Sequence, residues 1–412
     1  MTTIQAGFGK AIIDFKTTDL PIREFTKKLD ELNSRVMLIT GSQNFALVSL
    51  DLTSLPNNGA IALFKDKVAT WLPVTPANVW ITVTHTFAAP HLPSNPETTE
   101  AHQTYDFILT KLMTSLTVSC QAAQRDLQPV KLGQATISCP LNVNRNVLTP
   151  AGWWLGRNFA GYSNHQLRVW GFQKADGHIN LLANYDLQPS VLDHLTDDNG
   201  NRMISSDLVG FGIRQYEKDQ QVAIFLPGAA GDQRPLFTGN NDEPFIVAQN
   251  LMTKQGQLFY DCLRAAVTSI TAWDQLTQCQ LVTQSMSLPT KRQKLTTFAL
   301  RPTHQYDFEP TGNTVNLSVA GLKLNQHLLI GTQPELNSQF GNKCRQALDA
   351  DQNTLVATLV NGGAKYLPEA DDFNHVTYQA MNTQLGRGSD QLVLTACAKL
   401  GQKLIKEDKT KC

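Results

Sequence analysis

Residues 79–91 read VWITVTHTFAAPH. The first half is apolar and β-branched, the composition of a strand buried on both faces. It runs into a turn that carries His85, then Pro90 and His91. Two other segments share this layout. INLLANYDLQPS (179–190) is a strand running into a polar turn, and VAIFLPGAAGDQRP (222–235) is a strand that breaks into Pro-Gly and a small-residue turn. In open α/β sheets the ligand crevice lies beyond the carboxyl ends of the strands. Three such turns, converging there, predict a site.

Outward from these segments the pattern is mixed. RVMLITGSQNFALVSLD (35–51) predicts a hairpin around Gly-Ser-Gln-Asn. Helical spacing marks 59–72, 99–125 and 245–270. After about residue 280 the texture turns β-rich: TVNLSVAGLKLNQHLLIG (314–331) alternates like antiparallel strands, and a helix (334–350), a strand (353–360) and a terminal helix (389–406) follow. The expected fold class is α/β, mixed α+β, with mixed sheets flanked by helices. The expected organisation is one unit over 1–412, subdivided into an α/β core (1–284) and a β-rich portion with closing helices (285–412), the boundary falling in QSMSLPTKRQK (284–294). Residues 197–203 (DDNGNRM) read as a solvated loop, and the tail KEDKTKC as frayed.

The 412 residues carry 35 Lys+Arg and 35 Asp+Glu, a formal net charge of zero, with 42% hydrophobic and 17% charged residues. This is a globular composition. The charge balance argues against nucleic acid or an anionic membrane as a general partner. No apolar stretch reaches the ~20 residues of a membrane span. The opening MTTIQAGFGKAIIDF lacks the three parts of an export signal, so a cytoplasmic location is expected. Seven scattered cysteines without C-x-x-C suggest neither a disulfide framework nor a thiolate zinc site.

A neutral imidazole at a strand end, as at His85, ligates zinc or acts as a base. The commoner role is a ring bonded to nearby backbone. H-E-x-x-H and G-x-S-x-G are both missing. PGAAGD reads either as an anion nest or, more simply, as a tight turn. Asp186 and Asp232 come together if their strands are neighbours, and Trp153-Trp154 is either an aromatic binding surface or a core anchor.

Taken in order, these motifs resemble the neutral/alkaline (non-lysosomal) ceramidase family, in its amino-terminal catalytic domain. AGFGKAIIDF is similar to that family's opening, ALVSLD (46–51) to its strand ending in Asp, VTHTFAAP to T-H-T-H-S-G-P, and NVNRN (142–146) to its N-R block. LLANYDLQPS resembles L-x-N-F-A-x-H-P-T, MISSDLVGFG (203–212) resembles S-A-D-Y-x-G, and LPGAAGDQRP resembles the Gly-Asp-x-x-Pro turn. GTQPEL (331–336), LVNGGAKYLP (359–368) and VTYQAMNTQLGRGSDQLV complete a collinear series over nearly the whole chain, and the immunoglobulin-like domain of longer members is not expected.

The resemblance implies zinc held by two His, a Glu and a Tyr, and hydrolysis of the N-acyl bond of ceramide. Carried over residue by residue, the metal positions are His85, Gln188, Gln333 and Tyr378, and the catalytic positions Arg145, Asp232 and Tyr378. His85, Arg145, Asp232 and Tyr378 keep the family residue. Gln188 replaces a His, Gln333 a Glu, Phe87 a second His and Arg234 a Ser. Carboxamides are weak neutral donors, so zinc is expected to be weakly held or absent. Asp186, Glu335 and His91 are the stand-ins that a shift of register would supply. The implied function is a hydrolase of N-acyl bonds in a lipid or related small molecule with impaired zinc chemistry; the alternative is an inactive ceramidase-fold binding protein.

Overall fold

A computed structural model describes residues 4–56, 59–219, 221–293, 300–348 and 353–406. Lys294 of the expected boundary and residues 407–412 of the expected tail lie outside them.

The predicted hairpin forms from Leu32–Thr40 and Phe45–Leu50. It is the middle of a four-stranded sheet, antiparallel to Gln5–Ile13 on one side and parallel to Val79–Val83 on the other. Both central strands are almost wholly buried, which explains their continuous apolar runs. Helix Thr99–Arg125 covers one face, its first turn capped by Thr98, whose side chain accepts from Ala101 N at 3.1 Å. It packs so closely that a Cβ on Gly9 would stand 2.1 Å from the Ser119 carbonyl, which reserves that strand position for glycine.

In the second sheet the parallel pair Ile179–Tyr185 and Ala223–Pro227 is extended by antiparallel Gln166–Gln173 and Lys131–Ser138. Helices Asp207–Tyr216 and Phe245–Thr268 pack together against it. Buried charges join the two sheets. Arg35 donates through Nε to Glu217 Oε1 (2.9 Å) and through Nη1 to Asp51 Oδ2 (3.2 Å), and Glu217 Oε1 also accepts from Ala223 N at 3.1 Å. Burial raises the Glu217 carboxyl, but Arg35 more than offsets this and holds it below its ordinary range.

The expected boundary segment lies largely inside a long strand, Cys279–Lys291, paired antiparallel with Pro310–Leu324, which in turn pairs with His327–Thr332. One hydrophobic cluster combines Met37, Leu47 and Trp80 with Leu182 and Leu226 and with Leu322 and Leu329, so side chains from both expected portions share a core. Helix Ser338–Leu348 starts later than its spacing suggests, because Glu335–Leu336 is a short strand parallel to Tyr366–Leu367. No helix among the described residues is long and apolar enough to cross a membrane.

Candidate functional site

The three strand-end turns meet. Phe87 N donates to Pro189 O at 3.3 Å, and Gly228 N donates to Tyr185 O at 2.8 Å. Between them the chain reverses sharply at His85, whose φ of 65° is in the left-handed region that a non-glycine residue rarely occupies. That conformation turns the imidazole inward. Thr53 O stands 2.5 Å from Nδ1, which assigns a proton to Nδ1. Nε2 is buried without a hydrogen-bond partner and stands 3.3 Å from Glu335 Oε2. The Phe87 ring packs edge-on against the imidazole, with centroids 4.8 Å apart.

Glu335 is buried at the start of its short strand, where its N–H donates to Lys365 O at 2.7 Å. Its Oε2 accepts from Gln188 Nε2 at 3.1 Å. Burial raises the Glu335 carboxyl, but His85, Arg145 and Gln188 together hold it below its ordinary value. Gln188 Oε1 accepts from Arg145 Nη1 at 3.1 Å, so both ends of this carboxamide are engaged by charged groups.

Arg145 is the hub. Its Nη2 donates to Tyr366 OH at 3.0 Å and, with Nε, to Gly231 O at 2.6 and 3.1 Å. Its guanidinium lies 5.5 Å from the Tyr366 ring and 5.8 Å from the Tyr378 ring. Burial, then the Glu335 charge, pushes the Tyr366 phenol well above its ordinary value, so it stays a neutral O–H. Tyr378 accepts from Asn382 Nδ2 at 2.9 Å and has Trp154 edge-on at 5.6 Å.

Not every sequence-predicted residue reaches this cluster. His85, Gln188 and Arg145 are brought together, and Tyr378 adjoins them through Arg145 and Tyr366. Gln333 is elsewhere: Oε1 accepts from Ser318 N and Nε2 donates to Asn361 O, each at 3.3 Å. The carboxylate beside His85 is Glu335, two residues on. The placement has a physical reason: the chain leaves the strand His327–Thr332 through Pro334, and Glu335 then pairs in a different sheet. Asp186 and Asp232 do meet, on Ser338: Asp186 Oδ2 accepts from its hydroxyl (2.9 Å) and Asp232 Oδ1 from its N–H (2.8 Å). Asp232 supports the hub by accepting, through its carbonyl, from Arg145 N at 2.8 Å. Burial pushes its carboxyl up to about 6. Arg234 donates to Gly156 O and Thr238 Oγ1, both at 3.1 Å. His91 lies beside Arg23 and Arg202, its pKa lowered by burial first and by their charges. Trp153 stacks on His375 at 5.0 Å.

Tyr366 joins the cluster without having been singled out from the sequence. Its signal was the Tyr-Leu-Pro after Gly-Gly in LVNGGAKYLP, which by itself assigns no role.

The donor set fits zinc only in part. A His with Nδ1 on a backbone carbonyl and a free Nε2 is the usual second-shell arrangement of a zinc-ligating imidazole, and Glu335 offers a carboxylate beside it. Gln188 does not fit, because its oxygen already receives Arg145. No group of three or more His, Cys, Asp or Glu suited to a metal ion occurs among the described residues.

No protein-family model and no curated protein matches the sequence. Solved structures do. The neutral ceramidase of Pseudomonas aeruginosa superposes with a TM-score of 0.74 at 17% identity, over 98% of this chain and 75% of that one. A ceramidase complexed with C2 superposes with a TM-score of 0.74 at 16% identity, over 99% of this chain and 76% of that one. The chain therefore has a neutral ceramidase-like fold.

Proposed function

We propose that this chain is a ceramidase-like hydrolase of N-acyl amide bonds in a lipid or related small molecule, working from a weakened metal centre. The observation that carries the reading is the unengaged His85 Nε2 facing Glu335 Oε2 at 3.3 Å where three strand-end turns meet. His85 and Glu335 would hold zinc, with Tyr378, which adjoins them through Arg145 and Tyr366, as the other retained family donor. When bound, zinc polarises an amide carbonyl and supplies an activated water.

The chain's own groups do the rest. Tyr366 accepts an N–H from Arg145 and keeps its own proton, which makes it a fixed donor for a carbonyl oxygen that gains charge. Arg145 does not spend its N–H groups on substrate. It fixes Gln188, Tyr366 and the Gly231 carbonyl. Phe87 and Trp154 supply apolar surface beside His85 and Tyr378, which suits an acyl chain.

The test is release of fatty acid from a labelled N-acyl substrate by purified protein supplied with zinc. Turnover is expected, and is expected to be lost in His85→Ala and Glu335→Gln. Turnover that survives both changes overturns the assignment. A second reading, a binding protein that holds the ligand without hydrolysis, is favoured by one feature: Gln188 is tied at both ends. Saturable binding of an N-acyl ligand with no release at any zinc concentration selects it.

A further inference from the structure

Behind the site, Arg345 of the helix Ser338–Leu348 is completely buried. Its Nη2 donates to Asp186 Oδ1 at 3.2 Å. Its Nε and Nη1 have no acceptor. Gly341 lies alongside, where a Cβ would stand 3.7 Å from Nη1. From Asp186 the network continues through Ser338, whose hydroxyl donates to Asp186 Oδ2 (2.9 Å) and accepts from Asn164 N (3.0 Å). Asn164 is buried, its Oδ1 accepts from Gln166 N at 3.1 Å, and its Nδ2 has no acceptor. A second buried guanidinium, Arg168, stands close enough for the Arg345 charge to add to burial in pushing it down to about 9. The half-exposed Tyr162 feels Arg345, Arg168 and Asp186 together.

The unmet nitrogens are all donors: two on a guanidinium and one on a carboxamide. Buried donors of this kind carry a cost unless something accepts from them, and charged donors carry the larger one. A water offers two lone pairs to these three donors and brings two protons of its own that need acceptors. An anion has none. We propose that Arg345 and Asn164 form a buried site for a small inorganic anion of halide size, with the Arg168 charge nearby. The site reaches the pocket through two short paths: Asp186 is two residues before Gln188, and Ser338 is three after Glu335. Bound anion would tie residues 162–164 to the helix that follows Glu335. The inference does not depend on the hydrolase reading.

Two measurements on the full chain test it. Crystals soaked in bromide should show an anomalous peak between Arg345 and Asn164. Thermal midpoints should be higher in sodium chloride than in sodium gluconate of equal ionic strength, rising by roughly 2 °C per tenfold chloride above the dissociation constant. Asn164→Asp keeps an oxygen for Gln166 N and supplies a built-in negative charge. Its midpoint in gluconate should rise and its chloride dependence should disappear. No bromide peak, equal midpoints in the two salts, or an unchanged chloride response in Asn164→Asp would each overturn the proposal.

Discussion

Replacing Gln188 by His tests how the site is built. In the metal-free protein the carboxamide links Arg145 Nη1 and Glu335 Oε2, each at 3.1 Å. An imidazole cannot accept from one and donate to the other in the same geometry, so at least one hydrogen bond to a charged group is lost. Such a bond contributes about 1.5–3 kcal/mol, and its buried partner is then left unmatched. Without metal, Gln188→His should therefore melt below the wild type. With zinc the order should change. One restored imidazole beside His85 and Glu335 should raise zinc affinity about 10- to 100-fold, which corresponds to about 1.4–2.8 kcal/mol. The assay is competition for zinc against a chromophoric chelator, run beside thermal melts with and without the metal. A variant that folds as well as wild type without zinc, and binds zinc no more tightly, would refute both the bridging role of Gln188 and its place next to the metal-binding pair.

Arg35→Met should cost about 3–5 kcal/mol, because it leaves Asp51 buried without its cationic partner and Glu217 with Lys10 alone; urea unfolding with a loss below about 1 kcal/mol would contradict this. Burial pushes the Asp372 carboxyl up to about 7, above its unfolded value of 3.8. The folded state then binds the extra proton, so stability falls as pH rises between those values, by up to about 1.4 kcal/mol per unit. Asp372→Asn should flatten that fall in melts taken from pH 4 to 7, and an unchanged slope would assign it elsewhere. Gly9→Ala should destabilise by about 1–3 kcal/mol or more, since its Cβ would meet the Ser119 carbonyl at 2.1 Å; a melt within 1 °C of wild type would show that the helix shifts freely.

The regular elements were legible because their signals are local. Helix Thr99–Arg125 carries its cap at Thr98 and its apolar stripe within one segment, and the hairpin 35–51 carries its turn between two apolar runs. The layout of a buried strand followed by a polar or small-residue turn also predicted that these turns meet, because burial on both faces leaves a strand only its end for polar groups. Some placements needed the partner strand: Pro289, Lys291 and Arg292 look like a linker in isolation, yet Pro289 and Lys291 belong to a strand with a long antiparallel partner.

What the chain alone determined, then, was where strands end and which polar residues follow them. Only the tertiary structure decided which carboxylate faces His85. Gln333 and Glu335 are two residues apart in one short turn, and no periodicity separates them. Glu335 is chosen because its backbone pairs with Tyr366–Leu367, a segment distant in sequence that also delivers the Tyr366 hydroxyl to Arg145. Such pairings depend on the order in which sheets pack, and that order is a property of the whole core rather than of any stretch of residues within it.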